Sequence, residues 1–320
     1  MSMNNTGIHH ISSLVGNIYQ AYDFYHRILG MDLILKTVNQ EDSNMYHLFF
    51  GDQKGRIGTE FTIFDMPNSP TRRPGSNALE RTVFLVSDQA SLIYWMKRLD
   101  SFGVEHSGIQ VFGKRDMLFL QDGDGQELGF TYHEVVIERM FPSKESEVPQ
   151  EHAILGIAGL QMRIREVESL RKQLVELYGF KVEESFVYQG QQVLTVGFDN
   201  DFHHRLDLIL DLEAPISVMG VGSIHHIAFG VENHSDLEDL VTRLNLMERP
   251  HTGIINRDFM HSLYYRAPNY LMFEVATASG HREAPIPQQR ELLDQIPLFL
   301  PTFLEEDRAD IESSLAERYE

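Results

Sequence analysis

The sequence predicts an α+β protein assembled from four copies of one βαβββ module, followed by an extended arm and a terminal helix. Three observations carry that reading. The stretch Gly7-Ile8-His9-His10-Ile11 returns near the other end of the chain as Ser223-Ile224-His225-His226-Ile227. In both copies an asparagine seven residues beyond the second histidine, Asn17 or Asn233, opens a helical pattern. The interval from His10 to Gly30 also equals that from Gly159 to Gly179, twenty residues in each case. Repetition on this scale marks a supersecondary unit used several times.

Module one reads as a strand at 8–15, then a helix with Ile18, Ala21, Tyr22, Tyr25, Ile28 and Leu29 on one face. That spacing is the amphipathic helical period. Gly30 is a left-handed cap candidate, and strands follow at 33–38, 45–50 and 59–64. Module two opens at 81–86. Asp88 caps a helix carrying Leu92, Trp95, Met96 and Leu99, Gly103 closes it, and strands lie around Val104, 117–120 and 128–132.

Module three opens at 157–164, with helix residues Val167, Leu170, Leu174, Leu177 and Tyr178, then Gly179 and strands at 180–186, 192–198 and 206–210. Module four opens at 224–231. Ser235 and Glu238 have capping-box spacing, Leu237, Leu240, Val241 and Leu244 form the apolar stripe, and strands fall near 253–255, 261–266 and 271–276. Aligning the helix starts superposes His10, Arg81, Gly159 and His226.

A polar segment with two prolines, 141–150, separates modules two and three. After Ala278 comes a proline-rich arm through 285–289 and 298–304. Thr302 and Glu305 again have capping-box spacing, opening a helix with Leu304, Ile311 and Leu315 on one face. That tail is expected to pack on the body or on a second subunit.

Composition narrows the function. A hydrophobic content of 42% over 320 residues supplies a real core. A net charge of −20 argues against nucleic acid and against anionic membranes as partners. The lack of cysteine removes disulfides, thiolate metal sites and cysteine nucleophiles together. The first residues lack a basic segment and an apolar segment, so no signal peptide is expected. No run reaches the length of a membrane span. A cytoplasmic protein is the default expectation.

A histidine on a strand serves as core, surface or metal ligand, and two at one place in a repeated unit favour the ligand. Strand side chains alternate faces, so one histidine of each pair is expected to reach a shared interior and its neighbour to face away. In the last strand of module four, Glu274 sits among Leu271, Phe273 and Val275. Burying an unpaired carboxylate is costly. Alternation leaves a solvent-facing position open, although Met272 and Ala276 share its face.

The pattern His10-Ile11, Val15 and Asn17, then Phe24-Tyr25, Leu29-Gly30 and a closing Phe273-Glu274-Val275, resembles the vicinal oxygen chelate superfamily of glyoxalases, bleomycin-resistance proteins and extradiol dioxygenases. Tyr46-His47, Gly58-Thr59, Arg257-Asp258 and Tyr264-Tyr265-Arg266 with Pro268 resemble its two-half ring-cleaving dioxygenases of hydroquinone type.

The resemblance implies two cupped mixed β-sheets with helices outside. It implies an N-terminal domain (1–140, modules 7–66 and 78–135), the linker 141–150, a C-terminal domain (151–280, modules 153–212 and 223–277) and the arm and helix, 281–320. Carried onto this chain, the metal ligands are His10, His226 and Glu274. Two histidines and a carboxylate with open positions suit non-haem Fe(II); Mn(II) or Zn(II) remain open.

Pairing modules three and four supplies only two of these ligands, and pairing one and two sets His10 beside Arg81, with Gly129 where a carboxylate belongs. Only modules one and four together assemble three. That requires His10 and His226 within about 7 Å, given metal–nitrogen bonds near 2 Å. Modules two and three are then expected to form a metal-free, structural cup. His9 and His225 remain alternatives through a register slip, and Glu60 or Thr62 stands where a fourth ligand would be.

Tyr264 resembles the active-site tyrosine of extradiol enzymes, and His47 is a candidate acid or base. Arg257 and Arg266 are candidates for offsetting substrate charge. Ile255 and Asn256 occupy the region where those enzymes carry a further histidine. The expected activity is ring cleavage of a hydroquinone or catechol by dioxygen, with a small aromatic substrate as partner and a homodimer left open. A glyoxalase-like lyase or isomerase, a thiol transferase and a non-catalytic aromatic- or quinone-binding protein are the alternatives. Asp122-Gly123-Asp124-Gly125 reads as a hairpin turn, and His203-His204 as a surface turn.

Overall fold

A computed structural model describes residues 4–135, 137–278 and 292–318. Module one contains β1 (Asn5–Val15), α1 (Ile18–Tyr22), β2 (Asp32–Asn39), β3 (Asp42–Gly51) and β4 (Glu60–Asp65). Module two contains β5 (Ala78–Val86), α2 (Gln89–Ser101), β6 (His106–Phe112), β7 (Arg115–Gln121) and β8 (Glu127–Tyr132). Module three contains β9 (Gly156–Ile164), α3 (Val167–Glu176), β10 (Lys181–Tyr188), β11 (Gln191–Phe198) and β12 (His204–Leu210). Module four contains β13 (Ile224–Val231), α4 (His234–Leu246), β14 (Ile255–Asn256), β15 (His261–Arg266) and β16 (Met272–Thr277), and α5 (Arg308–Glu317) ends the described chain.

The helix starts follow from side-chain capping of unpaired N–H groups. Asn17 accepts from Tyr19 and Gln20, and Asp88 accepts from Ser91. Two capping expectations are corrected. The box of α4 joins Asn233 to Asp236, not Ser235 to Glu238, because the helix begins two residues earlier. Thr302 caps nothing: 302–307 winds as a 3-10 turn, and Thr302 turns to Asp258 instead. The first helix also changes pitch. Residues 23–28 form a π-helix, in which the Leu29 N–H reaches the Phe24 carbonyl five residues back.

Among the described residues the strands form two curled sheets, ordered β14-β15-β16-β13-β1-β4-β3-β2 and β10-β11-β12-β9-β5-β8-β7-β6. Each sheet takes one module from either half of the chain: one with four, and two with three. The seam in each is the antiparallel pair of opening strands, β1–β13 or β5–β9. The last strand of each module returns parallel to its own first strand. First and last strands of all modules therefore lie at the middle of a sheet.

Helices and the outer sheet faces share one apolar core. Tyr25 packs on Phe50 and Phe61, Trp95 stacks on Phe130, and Phe61 meets Phe84 of the other sheet. His204 is buried, correcting the surface-turn expectation. It opens β12, and its Nδ1 accepts the Ile8 N–H at 2.9 Å, tying the two sheets together. Burial pushes its pKa down to about 3, which keeps that nitrogen an acceptor.

The arm lies on the first sheet, while 285–289 fall outside the described residues. Buried Lys36 donates to the carbonyls of Leu293 and Ile296, and the Phe299 N–H pairs with the Lys36 carbonyl. Ile311 and Leu315 are buried, as their spacing suggested.

Gly159 faces Val83 across the second seam as His226 faces Ser12 across the first. A Cβ there would lie 1.9 Å from the Arg205 carbonyl oxygen. Gly159→Ala should lower stability by about 1–3 kcal/mol through overpacking, read from the denaturant midpoint. An unchanged midpoint would contradict the close strand approach.

Candidate metal centre

The site grows out of the first seam. Ser12 pairs with His226, Ile11 with Ile227 and His10 with Ala228, which sets the two histidines on adjacent strands and on one face. Each strand also carries an extra residue beside these pairs, and β1 a further one at Thr6. His9 is skipped between the Ile8–Phe229 and His10–Ala228 pairs, and His225 between Ser12–His226 and Ser13–Ile224. A bulge breaks the alternation of side chains. His9 and His225 therefore do not face away from their neighbours, contrary to the expectation from strand periodicity. Each turns its ring toward the next histidine, Nδ1 to Nδ1 at 3.0 and 2.8 Å.

The Nε2 atoms of His10 and His226 stand 3.2 Å apart, well inside the 7 Å requirement. Glu274 lies opposite Ala228 on β16, and its Oε2 is 3.1 Å from His10 Nε2 and 2.9 Å from His226 Nε2. All three side chains are buried. Neither carboxylate contact has the direction of a hydrogen bond, so both Glu274 oxygens are buried without an aligned donor. Lone pairs thus converge where a cation would balance them, and the donor set fits a divalent metal.

Burial works against ionisation of Glu274, but His10 and His226 outweigh it and hold the carboxyl well below the usual range. Burial lowers the His226 pKa despite Glu274, favouring the neutral imidazole that ligates metals.

His47 joins this centre through hydroxyls. Its Nε2 is 2.9 Å from Thr62 Oγ1, which is 2.6 Å from Ser12 Oγ, itself 2.9 Å from His226 Nε2. Burial drives the His47 pKa far below its ordinary value, with His10 and His226 adding to the effect. Phe49 and Phe64 pack against its ring at 4.1 and 4.0 Å. Tyr264 lies opposite Glu274 on β15, with its ring 5.5 Å from that of His226. Burial, then Glu274, raises its pKa well above 10.

The Arg257 guanidinium sits 5.4 Å over the Tyr264 ring and pairs with Glu41 at 2.8 Å. Arg266 is not brought to the triad. It is exposed at the rim and donates to the Tyr270 carbonyl. Ser12, Phe49 and Phe64 were missed in the sequence, where they look like ordinary strand residues.

The second sheet carries a counterpart without histidines. Arg81 faces Gln161 and lies beside Glu127, as His10 faces Ala228 and lies beside Glu60. Asp207 stands beside Gln161 as Glu274 stands beside Ala228. Arg81 donates to Gln161 and Glu127, and Arg115 donates to Asp207. Guanidinium groups neutralise these carboxylates. Both groups of metal-ligand type found among the described residues lie in the first sheet.

Residues 7–130 match the family model described as the Glyoxalase/Bleomycin resistance protein/Dioxygenase superfamily. The chain is 32% identical over 317 residues to the Bacillus subtilis (strain 168) protein named "Putative ring-cleaving dioxygenase MhqA", covering 98% of this chain and 99% of that one. The chain belongs to this superfamily. A second relative from Sphingobium indicum, "Chlorohydroquinone/hydroquinone 1,2-dioxygenase", is 25% identical over 304 residues, 87% of this chain and 88% of its own. The crystal structure of a "putative dioxygenase" from Bacillus subtilis superposes with a TM-score of 0.84 at 26% identity, covering 98% of this chain and 97% of that one.

Glu60 provides a test of the site's electrostatics. Burial first, then Asp52 and Glu274, raises its pKa to about 8, so the folded state keeps a proton that the unfolded state loses near its ordinary value of 4.5. Wild-type stability should therefore fall relative to Glu60→Gln as pH rises from 4.5 to 8, by at most about 1.4 kcal/mol per pH unit. Below pH 4.5 the difference should stop changing. Denaturation of the metal-free proteins across this range checks it, and a difference independent of pH contradicts it.

Proposed function

We propose that this chain is a metal-dependent dioxygenase that opens a dihydroxylated aromatic ring of hydroquinone or catechol type. The observation that carries the reading is a buried set of three ligand side chains with a hydroxyl at the fourth position. Thr62 faces Ser12 on β4 as Glu274 faces Ala228 on β16. Glu60 lies one strand step away and approaches His9, at 3.7 Å. Three protein ligands would leave room on a metal for one phenolic oxygen of a hydroquinone or two of a catechol, and for dioxygen. The names of the two relatives, one a hydroquinone dioxygenase, support the same substrate class.

His10, His226 and Glu274 would hold the metal. Fe(II) there would supply the one-electron chemistry that lets dioxygen react with an aromatic ring, and Mn(II) fits the same donors. Zn(II) would bind without that chemistry. The protein's own residues do the rest. His47, kept neutral by burial and so a weak base, is placed to receive the proton of a phenol that a bound metal would acidify. Tyr264 keeps its proton and donates a hydrogen bond to a substrate oxygen beside Glu274. Arg257, half-buried over the Tyr264 ring, offsets the negative charge of the bound phenolate. Arg266 contributes charge only from the rim. Phe49 and Phe64 offer apolar walls of the kind an aromatic ring packs against.

The test is anaerobic loading with Fe(II), then oxygen uptake with hydroquinones and catechols. Uptake matched one for one by substrate loss is expected. Bound Fe(II) without uptake would move the reading to Lewis-acid chemistry of the glyoxalase kind. His226→Ala and Glu274→Ala should each lose the single bound metal, and retention of one metal per chain by both would sink the ligand assignment. Tyr264→Phe should keep the metal while kcat falls by about 10²-fold or more. An unchanged kcat would remove Tyr264 from the chemistry.

A further inference from the structure

Both histidine pairs repeat one geometry. The Nδ1–Nδ1 distances are 3.0 and 2.8 Å, the ring centroids are 5.1 Å apart in each pair, and the rings cross at 82° and 80°. The surroundings differ. His9 is fully buried near Glu60, whereas His225 is half-buried beside Phe64 and lines a small cavity with Arg72, Arg73 and Arg266. What the pairs share is the bulge on each side of the seam.

Two explanations compete for the first pair. His9, His10 and Glu60 group closely enough to suggest a second metal. The module-four pair argues otherwise. It holds the same geometry, and by the register of β13 and β16 its counterpart to Glu60 is Met272. The arrangement therefore needs no carboxylate and no cation.

A hydrogen bond between the rings explains both. A histidine that directs the Nε2 lone pair at a metal carries its hydrogen on Nδ1, and that N–H needs an acceptor. For His10 and His226 the acceptor in place is the Nδ1 of the preceding histidine, which must then carry its own hydrogen on Nε2. We propose that His9 and His225 are positioning residues, brought by paired β-bulges to accept the Nδ1–H of His10 and His226 and so fix the tautomer and rotation of the two ligands. The inference rests on the proposed triad.

His225 is the better position to test, since its partial exposure spares the core. Mn(II) affinity of the full chain is measured by titration followed through the free-ion electron paramagnetic resonance signal. His225→Leu should bind Mn(II) about 10- to 100-fold more weakly. His225→Asn, whose amide oxygen reaches the Nδ1 position, should recover to within about threefold of wild type. A Leu variant binding as tightly as wild type, or an Asn variant as weak as Leu, overturns the proposal.

Should the Leu variant not fold, the wild-type chain loaded with Zn(II) decides. Long-range proton–nitrogen spectra should show Nδ1–H on His10 and His226 and Nε2–H on His9 and His225. The reverse pattern overturns it. His226→Ala and Glu274→Ala, titrated in parallel, separate the two failures. If both still bind Mn(II) normally, the triad itself is wrong, whatever His225→Leu does.

Discussion

The antiparallel seam between β1 and β13 is the constraint on which the site depends. Its register puts His10 and His226, 216 residues apart in sequence, on neighbouring strands with their Nε2 atoms 3.2 Å apart. The parallel return of β16 beside β13 then delivers Glu274 to the same point. A shift of one residue at the seam would send a histidine to the opposite face. The bulges protect against a different loss. They let each histidine keep its neighbour on the working side, so the bulge at His9 and the bulge at His225 each set a proposed ligand beside its hydrogen-bond partner.

The second sheet shows how little backbone change separates a metal-type centre from a neutralised one. Its seam has counterparts of the two bulges that carry His9 and His225, after Leu79 and after Val83. Arg81 replaces a histidine, and its guanidinium lies 4.2 Å over the Phe119 ring while pairing with Glu127. Gly159 replaces the other, where the Arg205 carbonyl leaves no room for a Cβ. Asp207 keeps the carboxylate, but Arg115 balances its charge. A fixed cation on the chain stands where a diffusible cation is proposed in the first sheet.

The repeat was legible because it is written in residue identity: the His-His pairs, the Asn caps and the Gly30 and Gly179 turns all recur. The pairing of modules one and four was legible by asking which pairing joins three ligands, a requirement the sheet order meets. What escaped depends on register. Strand alternation turned His9 and His225 outward, because a bulge has no signature in side-chain period. Ser12 and Thr62 become a hydroxyl chain only once β1 and β4 lie side by side. Asp207 was invisible as a counterpart of Glu274 until β12 was seen to pair with β9. His204 looked like part of a polar turn, and only the neighbouring sheet's Ile8 N–H explains its burial.

The central claim is that one metal sits between His10, His226 and Glu274. Anomalous diffraction from crystals grown with Fe(II) under anaerobic conditions, recorded on both sides of the iron edge, tests it most directly. The account predicts a single peak per chain within about 2.0–2.3 Å of both Nε2 atoms and a Glu274 oxygen. A peak at His9 and Glu60, in the second sheet, or at no fixed position would contradict it.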